Sequence, residues 1–281
     1  MKETIHKNLS SQAYFAKNPV FTTEDFERFL RNAERPGTQN RKRLLGYHKK
    51  QGHIISVRPG LYASIPLGAS ADTFLIDASL IASHLTCDAA LGYSTALAFH
   101  GVAHSRREEA IVITQHPLVH PFLFQGISYR TVTPPLALVA TGESDFGVER
   151  RERQGQEVRV TGLERTLVDG LDRLPLSGGW EEVWRSYEAV SYLDIERVVH
   201  YALLLGNATT IAKVGFFLQA QQERWMIGDD SLKMLRDRRP RQPHYTDRNR
   251  EEPARLISEW NLILPERVVN RMWEEAYEPV A

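Results

Sequence analysis

The sequence contains a single cysteine and no long hydrophobic run. With only Cys87 among its 281 residues, the chain cannot form an intrachain disulfide. No apolar stretch approaches the roughly 18 residues that are needed to cross a bilayer. The first twenty residues also lack the hydrophobic segment of a secretory signal. We therefore expect a cytoplasmic protein with no membrane partner.

Several motifs of catalysis and metal binding are also missing. The sequence has no G-x-x-x-x-G-K-[ST], G-x-S-x-G, H-E-x-x-H or C-x-x-C pattern. His100 and His104, like His116 and His120, have the i, i+4 spacing of helical metal ligands, but Gly101 and two prolines interrupt the helices that would pair them. We expect no catalytic residue, no metal site and no cofactor, and we predict that the protein is not an enzyme.

Acidic residues are missing from one long stretch of the chain. None occurs between Arg35 and Asp72, and residues 1–66 contain twelve Lys or Arg against five Asp or Glu, a net charge of +7. Because the whole sequence has 35 residues of each sign, the remainder carries −7. Such asymmetry is typical of a protein with a nucleic-acid-binding end, and a solvated basic face is the alternative interpretation.

The basic head has the pattern of three helices followed by a hairpin. Apolar spacing predicts a helix over residues 4–17, and a capping-box-like pair, Thr22 and Asp25, predicts the start of a second. A third helix is predicted over 38–51. Two β-rich runs, 53–58 and 61–65, then flank a Pro-Gly turn. This order is that of a winged helix-turn-helix domain.

The third helix has one apolar and one polar side. At 100° per residue, Leu44, Leu45 and His48 share a sector that is predicted to face the core. Arg41 falls on the inward side, where it either binds a backbone phosphate or pairs with an acid. The other side suits the major groove, and a hairpin tip can reach a neighbouring phosphate or the minor groove. The candidate DNA-binding residues are Thr38, Gln39, Asn40, Arg41, Lys42, Arg43, Tyr47, Lys49, Lys50 and Arg58.

The acidic body mixes helical and β patterns. Its predicted elements are a helix at 72–85, a short helix capped by Ser94, strands at 110–114, 127–132 and 158–160, and helices from Trp180 onward, with a surface loop at 236–250. Thr161 and Glu164 form a capping-box pattern that opens another helix, in which Arg165 needs only an ion-pairing role. The predicted fold class is α+β: a winged-helix domain at 1–66, then a larger mixed α/β domain at 67–281 with a helical C-terminal part.

Three segments match a known pattern in the same order. The first is Val57-Arg58-Pro59-Gly60-Leu61-Tyr62-Ala63, preceded by Pro19-Val20-Phe21-Thr22-Thr23, Arg43-Leu44-Leu45 and Gly52. The second is Leu91-Gly92-Tyr93-Ser94-Thr95-Ala96-Leu97 with His100-Gly101, and the third is Val160-Thr161-Gly162-Leu163-Glu164-Arg165-Thr166-Leu167-Val168-Asp169. Together they resemble the AbiEi-type antitoxins and regulators of type IV toxin–antitoxin systems, over nearly the whole chain.

The resemblance implies a cytoplasmic prokaryotic protein whose head binds inverted repeats in double-stranded DNA upstream of its own operon and represses it. It also implies a body that counteracts a nucleotidyltransferase-like toxin, encoded next to it, without a stable complex, in the setting of phage defence. We expect a monomer or a weak dimer that assembles on the DNA.

Other functions remain open at this stage. A winged helix can serve as a protein-docking module, although the acid-free stretch favours DNA. The body of a winged-helix regulator can instead sense a small molecule. An enzyme that acts on nucleic acid or on a toxin modification would need a pocket of converging ionisable groups.

Overall fold

The computed structural model describes residues 11–34, 36–246 and 252–273. Their contacts divide the chain into two units. The first consists of the chain up to Leu91, Glu108–Thr133 and Arg150–Val160, and the second consists of Gly92–Arg107, Pro134–Glu149 and the chain from Thr161. Helices and strands are mixed along the sequence, so the α+β class is confirmed. The predicted domain boundary at residue 66 lies inside the first unit.

The first unit starts with three helices and a small sheet. Helix α1 includes residues 11–17, and the remainder of the helix predicted at 4–17 lies outside the described residues. The next elements are β1 (Val20–Thr22), α2 (Thr23–Asn32), α3 (Thr38–Lys50), β2 (Ile54–Arg58) and β3 (Leu61–Ser64). The strand order is β1-β3-β2, and both pairings are antiparallel. The predicted hairpin is thus present, and β1 adds a strand that was not predicted.

Local chemistry explains where these elements begin and what holds them together. The Thr22 hydroxyl accepts a hydrogen bond from the Asp25 amide at 3.1 Å, and the Asp25 carboxylate accepts one from the Thr22 amide at 3.0 Å, which confirms the capping box. Half of the buried side chains in the core of this part are aromatic, and burial of each apolar side chain contributes about 1.5–3 kcal/mol. Its buried members are Phe15, Phe21, Phe26, Leu30, Leu45 and Ile54.

A six-stranded sheet follows. Its strands are β4 (Ala90–Leu91), β5 (Glu109–Ile113), β6 (Phe122–Phe124), β7 (Ile127–Val132), β8 (Val148–Arg153) and β9 (Gln156–Thr161), in the order β6-β7-β5-β4-β9-β8. The pairs β5–β7 and β4–β9 are parallel, whereas β4–β5 and β6–β7 are antiparallel. Helix α4 (Ala78–Ser83) packs against β4 and β5. Three of these strands, β5, β7 and β9, were predicted.

The helix predicted at 72–85 is wrong over its first half. The side chain of Gln125 donates to the Phe74 carbonyl at 2.8 Å and accepts from the Ile76 amide at 3.0 Å. These bonds satisfy the backbone of 74–76 in a non-helical conformation. Helix α4 therefore begins only after Asp77, whose carboxylate caps it by accepting from the Ser79 amide at 2.9 Å.

Helices make up most of the second unit. They are α5 (Tyr93–Phe99), α6 (Leu136–Thr141), α7 (Leu163–Asp172), α8 (Leu174–Ser177), α9 (Trp180–Glu188), α10 (Ile195–Leu205), α11 (Ala208–Ala220), α12 (Asp229–Arg236) and α13 (Glu266–Val269). Strands β10 (His244–Tyr245), β11 (Ala254–Ile257) and β12 (Leu262–Pro265) form a small sheet with β12 in the middle. No helix in the described parts of the chain is both long and apolar enough to span a membrane.

The core of the second unit is rich in tryptophan. Trp180, Trp184 and Trp260 are all buried, which confirms the core assignment for the first two. Two predicted helix starts need correction. Helix α5 begins at Tyr93 with Gly92 as its N-cap, and α7 begins at Leu163 with Gly162 as its N-cap and no side-chain cap. Part of the predicted loop at 236–250 lies outside the described residues, and β10 occupies two residues of the rest.

Candidate nucleic-acid interface

Helix α3 buries one side and exposes the other, as its sequence predicts. Leu45 and His48 are buried, and Leu44 is half-buried against the aromatic core. The helix contains no acidic residue. The predicted DNA-binding side chains of α3 that are exposed are Thr38, Gln39, Lys42, Arg43, Tyr47, Lys49 and Lys50. The helix therefore presents cations, an amide and a phenol ring to solvent from one rigid element.

The lysines of this surface are not neutralised by neighbours. Lys42, Lys49 and Lys50 form no ion pair with any acid in the described part of the chain. Arg43 donates to the Asn40 side-chain oxygen at 3.2 Å, an exposed contact one helical turn away that fixes the guanidinium without neutralising it. Four cations are thus available to an anionic ligand.

The N-terminus of α3 also favours an anionic ligand. Its N-cap is Gly37, no side chain caps it, and no acid lies in its first turn. The positive end of the helix dipole and the amides of the first turn are therefore open to an anion, as in many phosphate contacts. Thr38 and Gln39 are exposed at this end.

Arg41 faces inward, and in the structure it pairs with an acid, which is one of its two predicted roles. Its guanidinium forms an ion pair with Glu27 of α2, and its side chain is 18% exposed. The pair ties α3 to α2 in the first unit. Arg41 therefore belongs to the support of the surface and is not among its free cations.

Arg58 lies at the tip of the hairpin, where it was predicted, and its side chain contacts another part of the first unit. It is half-buried, and its guanidinium lies over the ring of Phe122 in β6, 5.1 Å from the ring centre. The tip itself is tied to α2, because the Gly60 carbonyl accepts from the Thr23 amide at 2.8 Å.

A histidine pair at the end of α3 was missed at the sequence level. The Nδ1 atoms of His48 and His53 lie 3.0 Å apart, so one ring donates a hydrogen bond and the other accepts it. Burial and the adjacent His53 lower the pKa of His48 to about 4. His48 is therefore neutral at physiological pH and belongs to the core. The sequence does contain a signal for this pair: His48 lies in the apolar sector of α3, just before the turn that carries His53.

The two body segments of the resemblance lie next to each other. Leu91 of β4 pairs with Val160 of β9, helix α5 packs against α7, and His100 hydrogen-bonds the Thr161 carbonyl at 2.8 Å. Arg165 is buried and forms an ion pair with Asp169 at 3.1 Å. The residues of these segments therefore contact one another and build the interior.

No protein-family profile matches the sequence, and no curated protein does so either. The fold is similar to that in the crystal structure of the RV2827C protein from Mycobacterium tuberculosis. The two structures align with a TM-score of 0.59 and 17% sequence identity, over 95% of this chain and 94% of that one. At this identity the similarity concerns the fold alone.

Proposed function

We propose that the protein binds double-stranded DNA through an N-terminal winged helix-turn-helix domain, with α3 as the recognition helix. The observation that carries the proposal is the exposed side of α3, which has four cations, an amide and an aromatic ring and no acid. An α-helix fits the major groove, where each base pair presents a different set of donors and acceptors. The order of three helices and a hairpin supports the same assignment.

Within this surface the residues divide by chemistry. Lys42, Lys49 and Lys50 are suited to phosphates, because an ammonium is a point charge with no planar geometry to match. Arg43 and Gln39 can form bidentate bonds to guanine and adenine edges, respectively. We therefore expect Arg43 and Gln39 to contribute sequence preference and the lysines to contribute affinity.

We further propose that the protein is a non-enzymatic antitoxin and autorepressor of the type IV kind. This step rests on the resemblance of the three segments to the AbiEi family. The contact between the two body segments supports this step. If this chain shares the fold of the AbiEi family, the segments that carry the common pattern are expected to pack against each other. The buried ion pair explains why the pattern contains Arg165 and Asp169, and it assigns neither residue a catalytic role.

DNA binding is tested with the upstream region of the protein's own gene and the full chain. Arg43→Ala should weaken binding by about 1–3 kcal/mol and relax sequence preference, whereas Lys50→Ala should weaken binding to all sequences and reduce the salt slope by about one. The matched control is Lys233→Ala, which removes an exposed lysine from α12. If all three variants bind alike, α3 is not the recognition helix.

The antitoxin role is tested by co-expression with the product of the adjacent open reading frame. The full chain should relieve the toxicity of a nucleotidyltransferase-like product, and the Arg43→Ala variant should still relieve it. Persistent toxicity in the presence of the folded full chain would contradict the antitoxin role and leave the DNA-binding role intact.

One observation favours a second candidate, a regulator that senses a small molecule. A cavity of about 420 Å³ lies in the first unit and is mainly apolar, with His53, Asp77 and Gln154 as polar groups in its wall. A metabolite screen by thermal shift tests this candidate. A compound that stabilises the protein and changes promoter affinity would favour the sensing role.

A further inference from the structure

The ends of β4 and β5 bring three metal-binding types of side chain together. Ala90 of β4 pairs with Ile113 of β5, so the turn before β4, which contains Cys87, lies close to the segment after β5, which contains His116. Asp88 lies next to Cys87. The candidate ligand atoms of Cys87, Asp88 and His116 all lie within 4.8 Å of one another.

The carboxylate of Asp88 is held rigidly in this cluster. One of its oxygens accepts from the Thr114 hydroxyl, and the other accepts from the Gln115 amide at 2.7 Å. Burial raises the pKa of Asp88, but the hydrogen bonds from Thr114, Gln115 and Thr86 outweigh it and leave the pKa below its ordinary value.

Thr114 also holds the segment before β4 against the segment after β5. This buried side chain accepts from the Thr86 hydroxyl at 2.9 Å and from the His116 amide at 2.9 Å. The Arg159 guanidinium donates to the Asp88 carbonyl at 2.6 Å. A second layer of hydrogen bonds that orients the ligands is typical of protein metal sites.

We propose that Cys87, Asp88 and His116 bind a zinc-type divalent transition-metal ion. Thiolate, imidazole and carboxylate together suit Zn²⁺ and chemically similar ions, whereas Ca²⁺ and Mg²⁺ require oxygen ligands. Tetrahedral Zn²⁺ with bonds of about 2.0–2.3 Å separates its ligands by roughly 3.3–3.8 Å. The exposed side chains of Cys87 and His116 need to move by only about 1 Å to reach these separations around the fixed carboxylate.

Three protein ligands leave one coordination position for water or for a group on a partner. Binding replaces the S–H bond of Cys87 by a sulfur–metal bond and releases the proton to solvent. No redox step is involved. The site is independent of the DNA-binding surface, so either proposal can fail without the other.

Cobalt binding to the untagged, chelator-treated full chain tests the site. Because Cys87 is the only cysteine, a thiolate-to-Co²⁺ absorption band can arise only from that residue. We expect one Co²⁺ per chain, a band that Zn²⁺ displaces, and no band in Cys87→Ser. His116→Ala should weaken binding by at least about tenfold.

The matched control is His120→Ala, which removes another exposed histidine four residues further on and should leave binding unchanged. Circular dichroism and thermal unfolding establish that each variant is folded. The proposal is overturned if the wild-type chain shows no band at one equivalent, or if His116→Ala binds as tightly as His120→Ala.

Discussion

Arg165 carries a charge in the interior of the second unit. Burial lowers the pKa of this residue, but the Asp169 carboxylate at 3.1 Å outweighs that effect and keeps the pKa above its ordinary value. The guanidinium also donates to the carbonyls of Ser144 and Phe146, at 2.8 and 2.6 Å, and the Tyr201 hydroxyl donates to Asp169 at 2.6 Å. One arginine thus ties α7 to the loop before β8, and Tyr201 ties α10 to the same pair.

Removal of this arginine should be costly. Arg165→Met leaves the Asp169 carboxylate buried without its cation and should lower the free energy of unfolding by about 3–5 kcal/mol. The described tryptophans all lie in the second unit, so urea unfolding followed by tryptophan fluorescence measures the change. The double variant Arg165→Met, Asp169→Leu should recover part of the loss, because no unpaired charge remains. A double variant that is less stable than the single one would contradict this account.

His48 makes the stability of the head depend on pH. Its pKa is about 4 in the folded protein, because of burial first and of His53 second, and about 6.5 in an unfolded chain. The unfolded state therefore binds more protons between these values. Stability should fall as the pH decreases from 6.5 to 4, by about 3 kcal/mol in total, and change no further below that range.

Hydrogen exchange of peptides from residues 38–64 at pH 4.5 and pH 7, corrected for intrinsic exchange rates, measures this dependence in the head. His48→Phe retains a buried ring and should remove the dependence. His120→Phe, at an exposed position, should retain it. Equal pH dependence in both variants would assign the effect to other groups.

At the scale of the element, a substitution of Gly46 should change the stability of α3 and its proposed binding of DNA in opposite directions. A Cβ at this position would meet nothing within 4 Å, and the residue lies on the exposed side of the helix. Gly46→Ala should therefore stabilise α3 by up to about 1 kcal/mol. If this side faces the major groove, the added methyl group should weaken DNA binding in the same variant. Hydrogen exchange of α3 and fluorescence anisotropy with promoter DNA measure the two effects.

Gly215 in α11 provides the contrasting variant. A Cβ there would lie 2.0 Å from the Trp260 ring, which is fully buried. Gly215→Ala should destabilise the second unit by about 1–3 kcal/mol despite its better helix propensity, without changing DNA affinity. Should Gly46→Ala bind promoter DNA as tightly as the wild type, the close approach of α3 to a groove would be contradicted.

The helices α2 and α3 and the hairpin of the head were predictable because their signals are local, whereas β1 was missed. The Thr22–Asp25 capping box, the Pro-Gly pair before α3 and Gly52 after it mark boundaries that no distant contact alters. The residues of the candidate interface follow from the same helix, since periodicity alone separates its buried from its exposed side. The contact of Arg58 with Phe122 was not predicted, because it joins residues 64 positions apart.

Elements that depend on distant partners were missed. Strand β8 has the sequence Val-Glu-Arg-Arg-Glu-Arg, which lacks an apolar alternation, but it lies at the edge of the sheet, where charged side chains discourage pairing with other chains. The start of α4 is set by Gln125, far along the chain. The Cys87–His116 cluster could have been found only from the register of β4 with β5.

At the scale of the whole molecule, a net charge of zero is divided into +7 for residues 1–66 and −7 for the remainder. A neutral protein has no overall attraction to DNA, so any affinity must come from the location of its cations. The four cations on the exposed side of α3, with no acid among them, meet this requirement. If Lys42, Lys49 and Lys50 contact phosphates and Arg43 contacts base edges, the logarithm of the binding constant should fall with the logarithm of salt concentration with a slope of about −2.7.

A pair of charge-matched variants distinguishes location from total charge. Lys42→Gln with Lys50→Gln, and Arg238→Gln with Arg241→Gln, each remove two exposed cations from the chain. Because counterions are released only by cations that reach phosphates, the α3 variant should reduce the size of the salt slope by about two, and the second variant should leave it unchanged. Anisotropy titrations of promoter DNA at four salt concentrations measure both slopes. An equal reduction of the salt slope in the two variants would contradict the special role of α3. It would mean that the total charge of the protein attracts DNA, or that residues 236–241 also contact it.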